Sequence, residues 1–160
     1  MTTHRLSFSV FRHLSWLLLA LLFACSTRPP SSLTPAEEGE LPWQAVWQAD
    51  SGRYNAATAQ LIRQADNAIR NRNTDKAGSL LERALRIDNR IAGIWSRLGW
   101  LAMQNHQYRR AQNLLQRSNS LGPPRAMRRL NWQFYLRASE AAGDAAGVAR
   151  ARQKLTAFDG

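Results

Sequence analysis

The chain has one cysteine, Cys25, and three histidines, and its 11 Asp and Glu residues face 22 Lys and Arg over 160 positions. No acid precedes Glu37. No G-x-S-x-G, HExxH or phosphate-cradling glycine loop occurs, which removes the common nucleophile, zinc-hydrolase and nucleotide signatures. The longest apolar stretch, Leu14 to Ala24, spans 11 residues. A bilayer-spanning helix needs about 20. One cysteine leaves three fates for its thiol: a buried core position, a nucleophile, or a covalent modification that takes it out of the folded body.

What is present begins with that apolar stretch. Arg5, Arg12 and His13 precede LLLALLFA, so a basic start, a short apolar run and a small residue read as a secretory signal. Leu22-Phe23-Ala24-Cys25 resembles the bacterial lipobox, with an aliphatic residue three before the cysteine and a small one beside it. Phe23 departs from the usual small or β-branched middle residue. The resemblance implies diacylglycerol on the Cys25 thiol, cleavage before it and acylation of the new amine. Three acyl chains, at about 0.8 kcal/mol per buried methylene, hold a protein on a membrane permanently. Ser26 stands where an aspartate usually retains such proteins at the inner membrane, so the implied address is the outer membrane, facing the periplasm. Removing residues 1–24 lowers the net charge from +11 to +9. In the periplasm this basic balance has no nucleic-acid partner; lipid headgroups, cell-wall carboxylates or an acidic protein face take that place.

Residues 26–41, STRPPSSLTPAEEGEL, show no hydrophobic period and read as a tether. The expected organisation is a signal peptide over 1–24, a lipidated flexible tether over 25–55 and a helical domain over 56–160. Within the tether, Trp43 and Trp47 stand four apart, on one face of a helical turn. They read either as a lid packed onto the domain or as an exposed anchor for a partner.

From Ala56 the pattern is helical, and it repeats. Shifting by 34 residues superposes NRNTDKAGSLLERA on NHQYRRAQNLLQRS and aligns Arg63 with Arg97, Ala68 with Ala102 and Ala77 with Ala111. The second copy carries Trp95, Leu98 and Gly99 at its start, then Tyr108, Ala111, Leu115 and Ser118, and Pro123 at its close. This resembles the tetratricopeptide repeat. Gly99 and Ala111 are expected to face each other where the two helices of that copy cross. A third copy opens at Trp132, 37 residues after Trp95, with Gly143-Asp144 at its turn and a polar last helix suggested by Arg152. The expected fold is all-α: a short superhelix of three helical pairs, with helices near 56–71, 75–88, 91–105, 108–121, 126–142 and 144–157.

Catalysis is not expected. Loss of His4 and His13 with the signal leaves His106, in a turn, and an acylated Cys25 cannot pair with it. No metal or cofactor is expected either. The resemblance instead implies a binding groove lined by the first helix of each pair. Carried over residue by residue, it comprises Ile62, Asp66, Ile69 and Arg70, then Ser96, Trp100, Met103 and Gln104, then Gln133, Arg137 and Glu140. A second candidate surface is basic: Arg117, Arg125, Arg128 and Arg129, with Arg137, have no acid between them. LERALRID, QRSNSL and the NW opening of the third copy resemble the tetratricopeptide outer-membrane lipoproteins that activate class A peptidoglycan synthases. That resemblance implies a penicillin-binding protein as partner. Two other binding roles fit the same layout, a pilotin-like assembly factor for a secretin or pilus and an adaptor recruiting a periplasmic hydrolase or protease. The oligomeric state is not legible.

Overall fold

A computed structural model describes residues 42–49 and 54–159; Cys25, the signal segment and residues 26–41 lie outside the described residues. Among the described residues there are seven helices and no strand: α1 Pro42–Ala49, α2 Ala56–Arg70, α3 Thr74–Ile87, α4 Ala92–Gln104, α5 Tyr108–Ser120, α6 Arg125–Ala141 and α7 Ala145–Thr156. Helices α2 to α7 fall within two residues of the ranges expected from the repeat. They pack as the pairs α2/α3, α4/α5 and α6/α7, with each pair laid against the next. This is the all-α arrangement of three helical pairs that the tetratricopeptide pattern implies.

The repeat is visible in the backbone as well as the side chains. Each pair is joined by a turn with one residue in the left-handed region: Arg72 (φ 56°), His106 (φ 57°) and Gly143 (φ 68°). The spacing is the same 34 and 37 residues found in the sequence. The N–H groups of Asn73, Gln107 and Asp144 return to the carbonyls of Ala68, Ala102 and Ser139 at 2.9, 2.8 and 2.9 Å, closing the ends of α2, α4 and α6 in the same way. The starts of α2, α3 and α7 are capped by side chains. Asn55 Oδ1 accepts from the Thr58 N–H, Asn73 Oδ1 from Lys76 and Asp144 Oδ1 from Gly147.

Small residues set the crossing of α4 and α5, but with a partner other than the expected one. A Cβ placed on Gly99 would stand 2.7 Å from Leu115 Cγ and 2.8 Å from Cδ2. Gly99 therefore makes room for Leu115, and Ala111 packs instead with Ala102 and Ala138. The main core runs through all three pairs, from Ile62 and Leu81 through Ile94, Leu98 and Leu115 to Met127 and Phe134. Trp47 belongs to the same core, so α1 is part of the packed body. The last helix α7 buries only Gly147 and Ala151; Arg152 is exposed and meets Glu140 at 3.5 Å.

Candidate partner-binding face

Helices α2, α4 and α6, the first of each pair, present the face on which a binding groove was expected. Helix α1 lies on it, against α4 and α6. Trp47 is 1% exposed, and its indole Nε1 donates to Ser96 Oγ at 2.9 Å. Ser96 Oγ in turn donates to Asn131 Oδ1 at 2.6 Å. The two Asn131 Nδ2 hydrogens go to Ser118 Oγ and Asn119 Oδ1, each at 2.8 Å, and Ser118 Oγ donates to the Ala92 carbonyl at 2.8 Å. The Ser96 and Ser118 hydroxyls and the Asn131 amide each accept from one neighbour and donate to the next. The chain crosses from α1 through α4 and α6 to α5. A buried polar chain of this kind stabilises only when complete, because one orphaned group costs about 1–3 kcal/mol.

Beside it, Arg97 is fully buried. Its Nε and Nη2 clasp the two Asp66 carboxylate oxygens at 2.7 and 2.9 Å, and Nη1 donates to the Gly93 carbonyl at 3.0 Å. The guanidinium carbon lies 4.8 Å from the Trp47 ring centre. Three satisfied donors, a bidentate carboxylate and a π-face are the conditions under which a buried arginine is tolerated. Trp43 completes the aromatic cluster, with its ring 4.8 Å from Trp47, 5.0 Å from Trp100 and 6.0 Å from Phe134.

The expected groove residues thus divide. Ile62, Ile69 and Ser96 are buried, and Asp66 is engaged by Arg97, so none of these four faces an open groove. Trp47 of α1 covers Ser96 and stacks on the Arg97 that holds Asp66, while Ile62 and Ile69 belong to the core that runs through the helical pairs. Trp100, Met103 and Gln133 are half-buried, while Arg70, Gln104, Arg137 and Glu140 remain exposed. What stays accessible is a rim where Trp43, Trp100 and Met103 are partly exposed. Arg137, one turn along α6 from Phe134, has no ion-pair partner among the described residues. Of the two readings for Trp43 and Trp47, Trp47 takes the packed position and Trp43 is shared between core and rim.

The basic residues belong to two helices. Arg125, Arg128 and Arg129 occupy the first turns of α6, and Arg137 begins about 12 Å further along that helix. Positive charge at a helix N-terminus opposes the macrodipole. Residues after α7 offset it: Arg125 Nη2 donates to the Phe158 carbonyl at 2.9 Å and Arg129 meets Asp159 at 3.1 Å. Arg117 stacks on Trp95, its guanidinium carbon 5.8 Å from the ring centre. Arg128 is exposed.

Two elements escaped the sequence reading. Asn131, next to Trp132, read as part of a repeat opening, and Arg97 entered only as the repeat equivalent of Arg63. Their signal was weak: polar residues at buried phases of two helices, Asp66 lying one turn short of a full repeat before Arg97. Among the described residues no cluster of His, Cys, Asp and Glu is arranged to hold a metal.

Comparison with known proteins found no matching family model and no matching curated protein. Among solved structures, the chain is similar to the globular C-terminal domain of Pseudomonas aeruginosa LpoP. The likeness covers 65% of this chain and 99% of that one, at 27% identity and a TM-score of 0.59.

Proposed function

We propose that this chain is an outer-membrane lipoprotein that faces the periplasm and activates a class A peptidoglycan synthase by binding it. The observation that carries the reading is the likeness to nearly the whole LpoP domain. The resemblance of LERALRID and QRSNSL leads to the same group of lipoprotein activators. The chemistry of the domain fits a binding role: its buried charges and amides are consumed in structure, and its accessible aromatic and methionine surface is of the kind that anchors protein partners.

In this reading Cys25 carries the lipid and residues 25–41 form the tether, because α1 is held to the domain by Trp47. Those 17 residues reach about 60 Å when fully extended. The partner meets the rim of Trp43, Trp100 and Met103, with Arg137 supplying charge at its edge. Because Trp43 and Trp100 also hold α1, the rim is tested at Met103 and Arg137.

The test is the rate of glycan polymerisation by a purified class A synthase with and without the full chain. Stimulation that disappears with Met103→Glu and Arg137→Glu together, helicity being unchanged, is the expected result. A synthase whose rate does not respond to the unaltered chain contradicts the proposal.

A further inference from the structure

A cleft lies between α3, α4 and α5, lined by Asp75, Gly78 and Glu82 of α3, Leu98 and Leu101 of α4, and Arg110 of α5. On α4 its floor residues stand about half a turn round the helix from Ser96, Trp100 and Met103, so it is a different surface from the rim. A Cβ on Gly78 would meet nothing within 4 Å.

The repeat provides an internal control for this empty space. The 34-residue shift carries Gly78 to Gln112, and the 37-residue shift carries Ala102 and Gln107, on the cleft's other side, to Ser139 and Asp144. At that second junction the space is filled. Gln112 Nε2 donates to Ser139 Oγ at 2.8 Å and to Asp144 Oδ2 at 2.9 Å. A Cβ on Gly147 there would stand 2.3 Å from Asp144 Oδ2 and 2.6 Å from Ser139 Oγ. The fold closes one junction with its own amide and leaves the equivalent one open.

Charge singles out the same place. Among the described residues, Asp66, Asp88, Glu140 and Asp159 each meet an arginine, and Asp144 is held by Gln112 and the Gly147 N–H. Asp75 and Glu82 have no ion-pair partner among the described residues, and both line the cleft. Seven residues apart on α3, they are separated by about 10.5 Å along the axis. A polyproline II segment has three residues per turn and a rise of about 3.1 Å, so side chains three positions apart lie on one side about 9 Å from each other.

We infer that this cleft is a docking site for a polyproline II segment of a partner protein with two basic side chains three positions apart. The basic groups meet Asp75 and Glu82, an apolar side chain between them covers Leu98 and Leu101, and an amide enters the space over Gly78, as Gln112 does one repeat later. Arg110 on the far wall, bonded to Gln107 Oε1 at 2.9 Å, faces the segment's carbonyls and fixes its direction.

The test is a titration of the 15N-labelled full chain with an acetylated, amidated Lys-Leu-Gln-Lys peptide, using Glu-Leu-Gln-Glu as the charge-reversed control. The lysine peptide is expected to shift the amides of Gly78, Leu98, Leu101 and Ala102 saturably, and the control to leave them in place. Gly78→Gln, whose Cβ would meet nothing within 4 Å, places an amide in the cleft and replaces the weaker helix former, so the melting temperature is maintained while binding falls about fivefold or more. Asp75→Asn with Glu82→Gln, which leaves the cleft's shape unchanged, lowers affinity about fivefold through two exposed ion pairs. Equal shifts with both peptides, or full binding to the two-carboxamide variant, overturns the inference. The readout is a peptide, so its outcome is separate from that of the synthase assay.

Discussion

Trp47 and Ser96, 49 residues apart in the chain, share a buried hydrogen bond of 2.9 Å that fixes α1 to the face of α4 and α6. The indole also covers Arg97, so one side chain closes both a polar chain and a buried charge. Trp47→Ala is therefore expected to destabilise the domain by about 3–5 kcal/mol, the range for emptying a buried aromatic site. Chemical denaturation reads this directly. Trp47→Phe keeps the ring and loses the donor, and is expected to cost about 1–3 kcal/mol through the orphaned Ser96 acceptor.

Arg97 and Asp66 form a second long-range tie, between α4 and α2. Removing one partner of a buried pair costs about 3–5 kcal/mol, but Asp66 is 17% exposed and can recover some hydration. Arg97→Met is expected near the low end, about 3 kcal/mol. The double variant with Asp66→Asn is expected to be more stable than the sum of the single losses. Additive losses in urea denaturation would show that the pair is not coupled.

The left-handed turns give a prediction of opposite sign. Arg72 and His106 hold a conformation that costs a residue with a Cβ about 1–2 kcal/mol, while Gly143 occupies the equivalent turn freely. Arg72→Gly and His106→Gly are each expected to raise stability by up to about 1 kcal/mol, since glycine gives back part of the gain as unfolded-chain entropy. Gly143→Ala is expected to lower it by about the same amount. Thermal melts of the three variants check the order.

Asp144 supplies a pH dependence. The Gly147 N–H, then the Gln112 amide, then the charges of Arg150 and Arg109 hold its carboxyl below the ordinary aspartate value. A depressed folded pKa stabilises the fold above the unfolded value, about pH 4, and the contribution is lost as pH falls through the folded one. Asp144→Asn is thus expected to lower the melting temperature more at pH 7 than at pH 3. An equal deficit at both would assign the loss to capping geometry alone.

The sequence revealed the helices because the 34-residue repeat constrains them twice over: Leu80, Leu81, Leu114 and Leu115 recur in phase, and each turn carries the same backbone closure. It placed the Trp43 and Trp47 pair on one helical face without deciding what that face meets. Ser96, Asp66, Ile62 and Ile69 occupied the phase of a groove lining, but Ile62, Ile69 and Ser96 are buried and Asp66 is tied to Arg97. The covering of Ser96 comes from Trp47 of α1, a segment before the repeats whose docking no periodicity encodes. Gly99 was legible as a close-contact position, yet its partner, Leu115, depends on the angle at which α4 crosses α5. The open cleft at Gly78 became visible only when its equivalent, Gln112, was seen bonded to Ser139 and Asp144.

The proposed contact with a class A peptidoglycan synthase runs through the rim around Met103 and Arg137. Sedimentation of the purified full chain with a purified synthase tests it most directly. A saturable complex is expected at about 10 μM or below, an affinity of about −7 kcal/mol or better, lost when Met103→Glu and Arg137→Glu are combined in a folded chain. Two species that sediment independently at tens of micromolar, or a complex indifferent to both substitutions, would contradict it.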